Sequence, residues 1–282
     1  DSMKSWFGRD ETRITQSMSA LGTRVDATLV GPNQNVLQDA MGMAFEDIRE
    51  MERIFSRFDN RSPVCEVNAE SRLEHLPAPL ASMIRACAFY YRETDGAFDI
   101  TVKPVIESEI AEIMPFVGAE KIRFDDVKLT LRQGMGVTFD GAAPGFIADR
   151  VSELLFAHGV TNFLINAGGE IRTSGHAKSG SPWRVAIQDP DKQGNYPGVM
   201  SFHAGAVSTS GNYEIYYDSE KLYHHIVDAR TGHSPNALTS VTVQAPTALE
   251  ADILSTALFV MPPQKAVEFA KSHANIECLI ID

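Results

Sequence analysis

Apolar residues recur along the chain with two different periods, and the period changes from one segment to the next. From residue 35 to 57, Leu37, Met41, Ala44, Ile48, Met51 and Phe55 follow at steps of 4, 3, 4, 3 and 4, which predicts an amphipathic helix with one buried stripe. Leu80, Ile84, Cys87 and Tyr91 mark a second helix, with Pro79 in its first turn and Gly96 as its end. A third is predicted over 145–158, with Ile147, Val151 and Leu154 inward and Gly159 as the stop. Two more fall at 248–261, closed by Pro262-Pro263, and at 264–273.

Residues 23–31 instead alternate, with Val25, Ala27 and Leu29 on one face of a half-buried strand. Further strands are predicted at 162–166, 183–188, 199–203, 213–217, 222–227, 240–245 and 276–281, separated by Gly and Pro clusters. Residues 1–17 read as a loosely held polar arm and 58–74 as a loop. Residues 121–140 read as short strands turning at Asp125-Asp126 and Gly134. This order lacks regular βαβ alternation, so the expected class is α+β, with largely antiparallel sheets and packed helices. No linker divides it, and residues 18–282 are expected to form one domain of two interleaved halves.

The chain has 282 residues, enough for a sizeable core. Its 25 Lys and Arg against 37 Asp and Glu give a net charge of −12, which argues against nucleic acid as a partner. No run of 18 apolar residues exists, so no membrane span is expected. Cys65, Cys87 and Cys278 form no CxxC and read as small buried hydrophobes.

Four segments carry candidate chemistry. Thr247 and Glu250 form a T-x-x-E capping box that starts a helix at Thr247, so Asp252 and Thr256 lie one turn apart on one face. That pair offers two hard oxygen ligands suited to Mg²⁺, although on spacing alone an acid favoured by the helix dipole is the plainer reading. Residues 140–149 (DGAAPGFIAD) place small residues between a strand and a helix, where backbone can approach a ligand. Asn166-Ala167-Gly168-Gly169-Glu170 and Thr209-Ser210-Gly211 read as turns following strands, suited to cradling phosphate or simply to joining hairpins. His224 and His225 sit side by side on a predicted strand, so only one faces a given site. An imidazole there is a candidate base or an ordinary structural group. No G-x-S-x-G elbow supplies a hydrolase nucleophile.

Read together, these segments resemble the ApbE family of FAD:protein FMN transferases. The likeness runs through ALGT (20–23), SRFDNRSPVCEVN (56–68), TDGAFDIT (94–101), GAAPGFIAD (141–149), LINAGGEIRTSG (164–175), WRVAIQDP (183–190), AVSTSGNYE (206–214), HHIVDARTG (224–232) and EADILSTA (250–257), in that order. It implies a T-fold-like α+β architecture with an FAD cleft between two halves. The implied reaction is Mg²⁺-dependent: FMN passes from FAD to a threonine of a target flavoprotein, and AMP leaves. By motif, Asp252, Thr256 and the carbonyl of Ala143 would hold the metal, and His225 would stand by the transferred phosphoryl group. Asn68 would be a loop residue near the FAD site. Leu21, Asp99, Gly145, Gly168, Gly169 and Thr209 belong to the flavin- or nucleotide-contacting motifs. The resemblance implies an exported, periplasm-facing setting, in a family whose members are often anchored to the membrane through a processed N-terminus.

The chain departs from the family at Ala143-Pro144-Gly145-Phe146, where the common pattern is A-K-G-Y, and at Leu21, where methionine is usual. The absent lysine bears on phosphate charge. Two rival readings therefore stand beside transfer: an FAD-binding carrier without turnover, and a Mg²⁺-dependent FAD pyrophosphatase giving FMN and AMP.

Overall fold

The structure, a computed structural model, describes residues 11–20, 22–107, 113–187, 196–212 and 226–282. The chain opens with β1 (Thr12–Ala20), β2 (Thr23–Gly31), α1 (Gln34–Phe55), α2 (Pro63–Glu70), β3 (Arg72–Leu73), α3 (Ala78–Glu93) and α4 (Lys103–Glu107). It continues through β4 (Arg123–Phe124), β5 (Leu129–Thr130), α5 (Ala143–Ala157), β6 (Asn162–Ala167), β7 (Glu170–Ser174), β8 (Trp183–Ala186) and β9 (Val199–Phe202). It ends with β10 (Gly205–Gly211), β11 (Ser240–Ala245), α6 (Ala248–Val260), α7 (Pro263–Ser272) and β12 (Glu277–Ile281).

Seven strands form the main sheet in the order β1-β2-β6-β7-β10-β11-β12, and every neighbouring pair is antiparallel. The expected α+β class is what the fold shows. On this sheet α6 packs against β10 and β11, α5 against α6, and α1 against α5. The stripe predicted for α1 is buried from Leu37 to Phe55, together with Ala40 and Phe45. One core cluster runs through all of these layers. Two smaller sheets, β3-β5-β4 and β8-β9, lie outside the main one. Among the described residues no helix is long and apolar enough to cross a membrane.

Three expectations are corrected. The polar arm is, from Thr12 onward, an edge strand paired with β2 along its whole length. Ile14, Met18 and Ala20 lie on one face and pack against the core, but Gln16 interrupts the row and the other face is polar, so the alternation is weak and pairing with β2 completes the strand. The loop at 58–74 contains α2, where the Ser62 hydroxyl accepts from the Cys65 amide at 2.9 Å and Pro63 opens the first turn. Only Val64 and Val67 are buried there, too short a stripe to read as periodic. Finally, Thr209-Ser210-Gly211 is no turn but the end of β10. The predicted strand at 213–217 and most of that at 222–227 lie outside the described residues.

Of the cysteines, Cys87 is buried as expected, while Cys65 and Cys278 are half-buried, and all three are unpaired thiols. Burial, helped by the charges of Asp252 and Asp99, pushes the Cys87 thiol up and keeps it unreactive.

Candidate functional site

Two hairpins and a strand end meet at one end of the central strands of the main sheet. β6 and β7 are joined by Gly168 and Gly169 alone, with Ala167 paired to Glu170. Both glycines have positive φ, 82° and 124°, the backbone that a two-residue hairpin of this twist requires. The hairpin reading of this segment therefore holds. A Cβ on Gly168 would come within 2.7 Å of Thr23, just past the β1–β2 turn. The motifs around residues 20–23 and 166–170 are thus neighbours in space. β10 runs antiparallel to β7, with Val207 opposite Ile171, which brings Ser208 beside Glu170.

Packed on β10 and β11 beside this end lies α6. Its Thr247 hydroxyl accepts from the Glu250 amide at 3.2 Å, as the capping box predicts. Two more amides of its first turn, those of Ala248 and Leu249, donate to the two oxygens of Asp149 on α5 at 2.8 Å each. Asp149 also faces Arg172 of β7 at 3.2 Å. Its carboxyl is pushed up by burial, which outweighs these partners. Asp149→Ala is expected to lower stability by about 2–3 kcal/mol, since it removes two caps from a buried helix end. Chemical denaturation that shows no loss would contradict that role.

Asp252 is 4 % exposed. Its Oδ2 accepts from the Gly145 amide at 3.0 Å, so the predicted Gly145 and Asp252 do come together. That contact depends on Gly145 having no side chain: a Cβ would stand 2.5 Å from the Ala248 carbonyl oxygen and 2.8 Å from the Asp252 Cβ. Burial, and then the nearby charge of Glu170, push the Asp252 carboxyl well above its usual range. Two acids crowded in a dry place need a proton or a cation. Thr256 sits one turn on, and Gly141 passes so close that a Cβ there would meet Thr256 Oγ1 at 3.2 Å. Ala143, the first residue of α5, lies two positions before the Gly145 amide. Among the described residues no group of three His, Cys, Asp or Glu assembles. One or two carboxylates with hydroxyl and carbonyl oxygens form a hard donor set, which suits Mg²⁺ better than Zn²⁺.

Other predicted residues do different work. Asn68 lies in α2 rather than in a loop. Its carboxamide donates to the Val137 carbonyl at 2.9 Å and accepts from the Val137 amide at 2.7 Å, fixing that strand-like segment. Asp99 is buried and caps a 3₁₀ turn (Ile100–Val102). It accepts from the Thr101 amide and hydroxyl at 2.7 and 2.6 Å and from the Ala119 amide at 3.2 Å. It lines a cavity of about 490 Å³ shared with Tyr91, Asp95, Glu120 and Arg230. Thr209 pairs with Thr242 at 2.9 Å. As the odd member of the β10 alternation it faces away from Ser208 and Ser210, so its side chain does not join Asp252 and Thr256. Leu21, His224 and His225 lie outside the described residues.

Pro144 sits in the first turn of α5, where a missing amide hydrogen costs nothing. The ring of Phe146 packs edge-on to Phe55 at 5.5 Å, a contact that needs no hydroxyl. The sequence singles out neither Ser208 nor Ser255, and it offers Glu170 and Ser210 only as members of the segments 166–170 and 209–211 read as turns. The S-x-S spacing of a strand was the available signal for two of them.

The ApbE family profile matches residues 21–280. The chain is 30% identical over 262 residues to the FAD:protein FMN transferase of Haemophilus influenzae, covering 83% of this chain and 76% of that protein. It is 30% identical over 246 residues to the Escherichia coli K12 enzyme of the same name, covering 78% and 70%. Among solved structures it is similar to the ApbE protein of Thermotoga maritima, with TM-score 0.87, 27% identity, and 95% and 94% of the two chains covered. It is also similar to the Pseudomonas stutzeri flavinyl transferase ApbE in its apo form, with TM-score 0.83, 26% identity, and 96% and 92% covered.

Proposed function

This chain belongs to the ApbE family, and we propose that it is an FAD:protein FMN transferase that uses Mg²⁺ to pass FMN to a threonine of a target flavoprotein. In the proposed reaction the threonine oxygen forms a bond to the FMN phosphorus and the phosphorus–oxygen bond to the AMP half breaks. The hydroxyl proton goes to a base, for which His225 is the candidate. AMP leaves with the bridging oxygen. The acceptor hydroxyl comes from the partner, so this chain needs no nucleophile of its own.

The observation that carries this reading is the buried Asp252, crowded by Glu170 and one turn from Thr256, at the end of the central strands where the glycine hairpins meet. Asp252, Thr256 and the Ala143 carbonyl are the residues that would hold Mg²⁺. When bound, that ion neutralises charge on the pyrophosphate. Gly145 admits Asp252 to the start of α5 and gives it an amide hydrogen bond. Asp149 locks α6 at the angle that presents Asp252 and Thr256.

Incubating the protein with FAD, Mg²⁺ and a target domain carrying the acceptor threonine is expected to give a covalently fluorescent target after denaturing electrophoresis, together with AMP. AMP with only free FMN would replace transfer by hydrolysis, a reading that Pro144 in place of the family lysine keeps in view. Neither product would leave a carrier.

A further inference from the structure

A hydroxyl that ligates a cation must offer a lone pair, yet a threonine hydroxyl is free to turn its hydrogen toward the same place. The surroundings of Thr256 remove that freedom. Its Oγ1 lies 3.3 Å from Ser210 Oγ, which lies 2.9 Å from Ser255 Oγ. Ser255 Oγ lies 3.2 Å from Ser208 Oγ, and Ser208 donates to Glu170 Oε1 at 3.3 Å. β10 supplies Ser208 and Ser210 from one face, α6 supplies Ser255 and Thr256 from adjacent positions, and Glu170 opens β7.

Each hydroxyl has a single hydrogen, and an ionised carboxylate can only accept. Ser208 commits its hydrogen to Glu170, so it accepts from Ser255. Ser255 in turn accepts from Ser210, and Ser210 accepts from Thr256. A competing bond runs from Ser255 to the Asp252 carbonyl at 2.9 Å. That carbonyl keeps a second lone pair beside the α6 ladder, so the Ser255 hydrogen is shared between it and Ser208 Oγ in a three-centre bond, and in either case Ser255 must accept from Ser210. Hydrogen bonds aligned head to tail also polarise and strengthen one another.

We infer that Glu170 is a positioning residue for the metal site: it anchors a one-way line of hydroxyls, Thr256→Ser210→Ser255→Ser208→Glu170, that turns the lone pairs of Thr256 toward the cation. The inference rests on the Mg²⁺ reading above. No position of this line was assigned a role by motif except Thr256.

The test is direct Mn²⁺ uptake by the intact chain without FAD, followed by electron paramagnetic resonance, with circular dichroism as a check of folding. Asp252→Asn is expected to lose binding. Ser210→Ala is expected to weaken it by about tenfold, the usual scale for a group that orients a ligand. Ser210→Thr, which restores the hydroxyl, should recover most of the affinity. Glu170→Gln should weaken binding by itself. Because both changes break the same line, adding it to Ser210→Ala should cost little more. If Asp252→Asn loses Mn²⁺ while Ser210→Ala and Glu170→Gln bind like the parent, the hydroxyl line is wrong and the metal reading survives. Fully additive losses would equally reject the line. Should Ser210→Ala fail to fold, an unchanged affinity in Glu170→Gln is sufficient to reject it. A parent chain that takes up no Mn²⁺, or an Asp252→Asn variant that binds as the parent does, removes both.

Discussion

Asp252→Asn lowers FMN transfer by about a hundredfold or more while leaving the metal-free protein at least as stable as the parent. If Asp252 is the charged metal ligand proposed above, removing it costs several kcal/mol in transition-state stabilisation at about 1.4 kcal/mol per factor of ten. The stability half follows from burial. In the folded chain the Asp252 carboxyl is pushed well above its usual range, first by desolvation and then by Glu170. In the unfolded chain it ionises near pH 4. Between those two values the folded state holds a proton that the unfolded state releases, so each step up in pH removes stability. An asparagine carries no such cost, and its carboxamide oxygen can still accept from the Gly145 amide. The gain in melting temperature over the parent is therefore small below about pH 4 and grows toward neutrality. Adding Mg²⁺ closes it by stabilising the parent alone. Calorimetry across pH, paired with the transfer assay, checks both halves. Full activity in the variant, or a gap that ignores pH, would contradict the assignment.

Gly145→Ala is expected to be strongly destabilising. The added carbon would stand 2.5 Å from the Ala248 carbonyl oxygen and 2.8 Å from both the Ala248 carbonyl carbon and the Asp252 Cβ. Two of those atoms are backbone of a buried helix, which cannot swing aside as a side-chain tip would. α5 and α6 must separate, and the Gly145–Asp252 hydrogen bond goes with them. Overpacking of this kind costs about 3 kcal/mol, or a fall of roughly 6–12 °C in melting temperature for a domain of this size. Alanine normally favours a helix over glycine, so a neutral or stabilising result would show that the two helices are not held at this distance. The same change at Gly159, where nothing lies within 4 Å, meets no clash. Its positive φ of 74° is the only strain there.

What could be read from the chain was what is decided locally. The α1 stripe is legible because one side of that helix meets the core and the other meets water. The capping box at Thr247 and Glu250 fixes the start of α6 within four residues. The glycine pair at 168–169 defines its hairpin by backbone conformation alone. The order of motifs was also enough to recognise the family before any geometry was known. Asp252 and Thr256 were nameable as a pair because a helical turn brings them together without help.

Tertiary structure decided everything that depends on partners distant in sequence. β1 has only an interrupted apolar row, Ile14, Met18 and Ala20, and it exists because β2 offers it a ladder of hydrogen bonds and the core receives that row. α6 is buried on nearly all sides, so it has no stripe. Nothing along the chain could tell that Asp252 is dry rather than solvated at a helix surface. Thr209 and Ser210 are adjacent in sequence, yet the pleat sends one to Thr242 and the other to Ser255 and Thr256. Ser208 and Glu170 meet across 38 positions, and Asp149 reaches the α6 amides across about a hundred. Read alone, the chain shows which residues could ligate and where α1 and α6 begin. Only the folded chain brings the Asp252 carboxyl out of water beside Glu170 and Thr256, and that shared desolvation is the physical ground on which the proposed cation site stands.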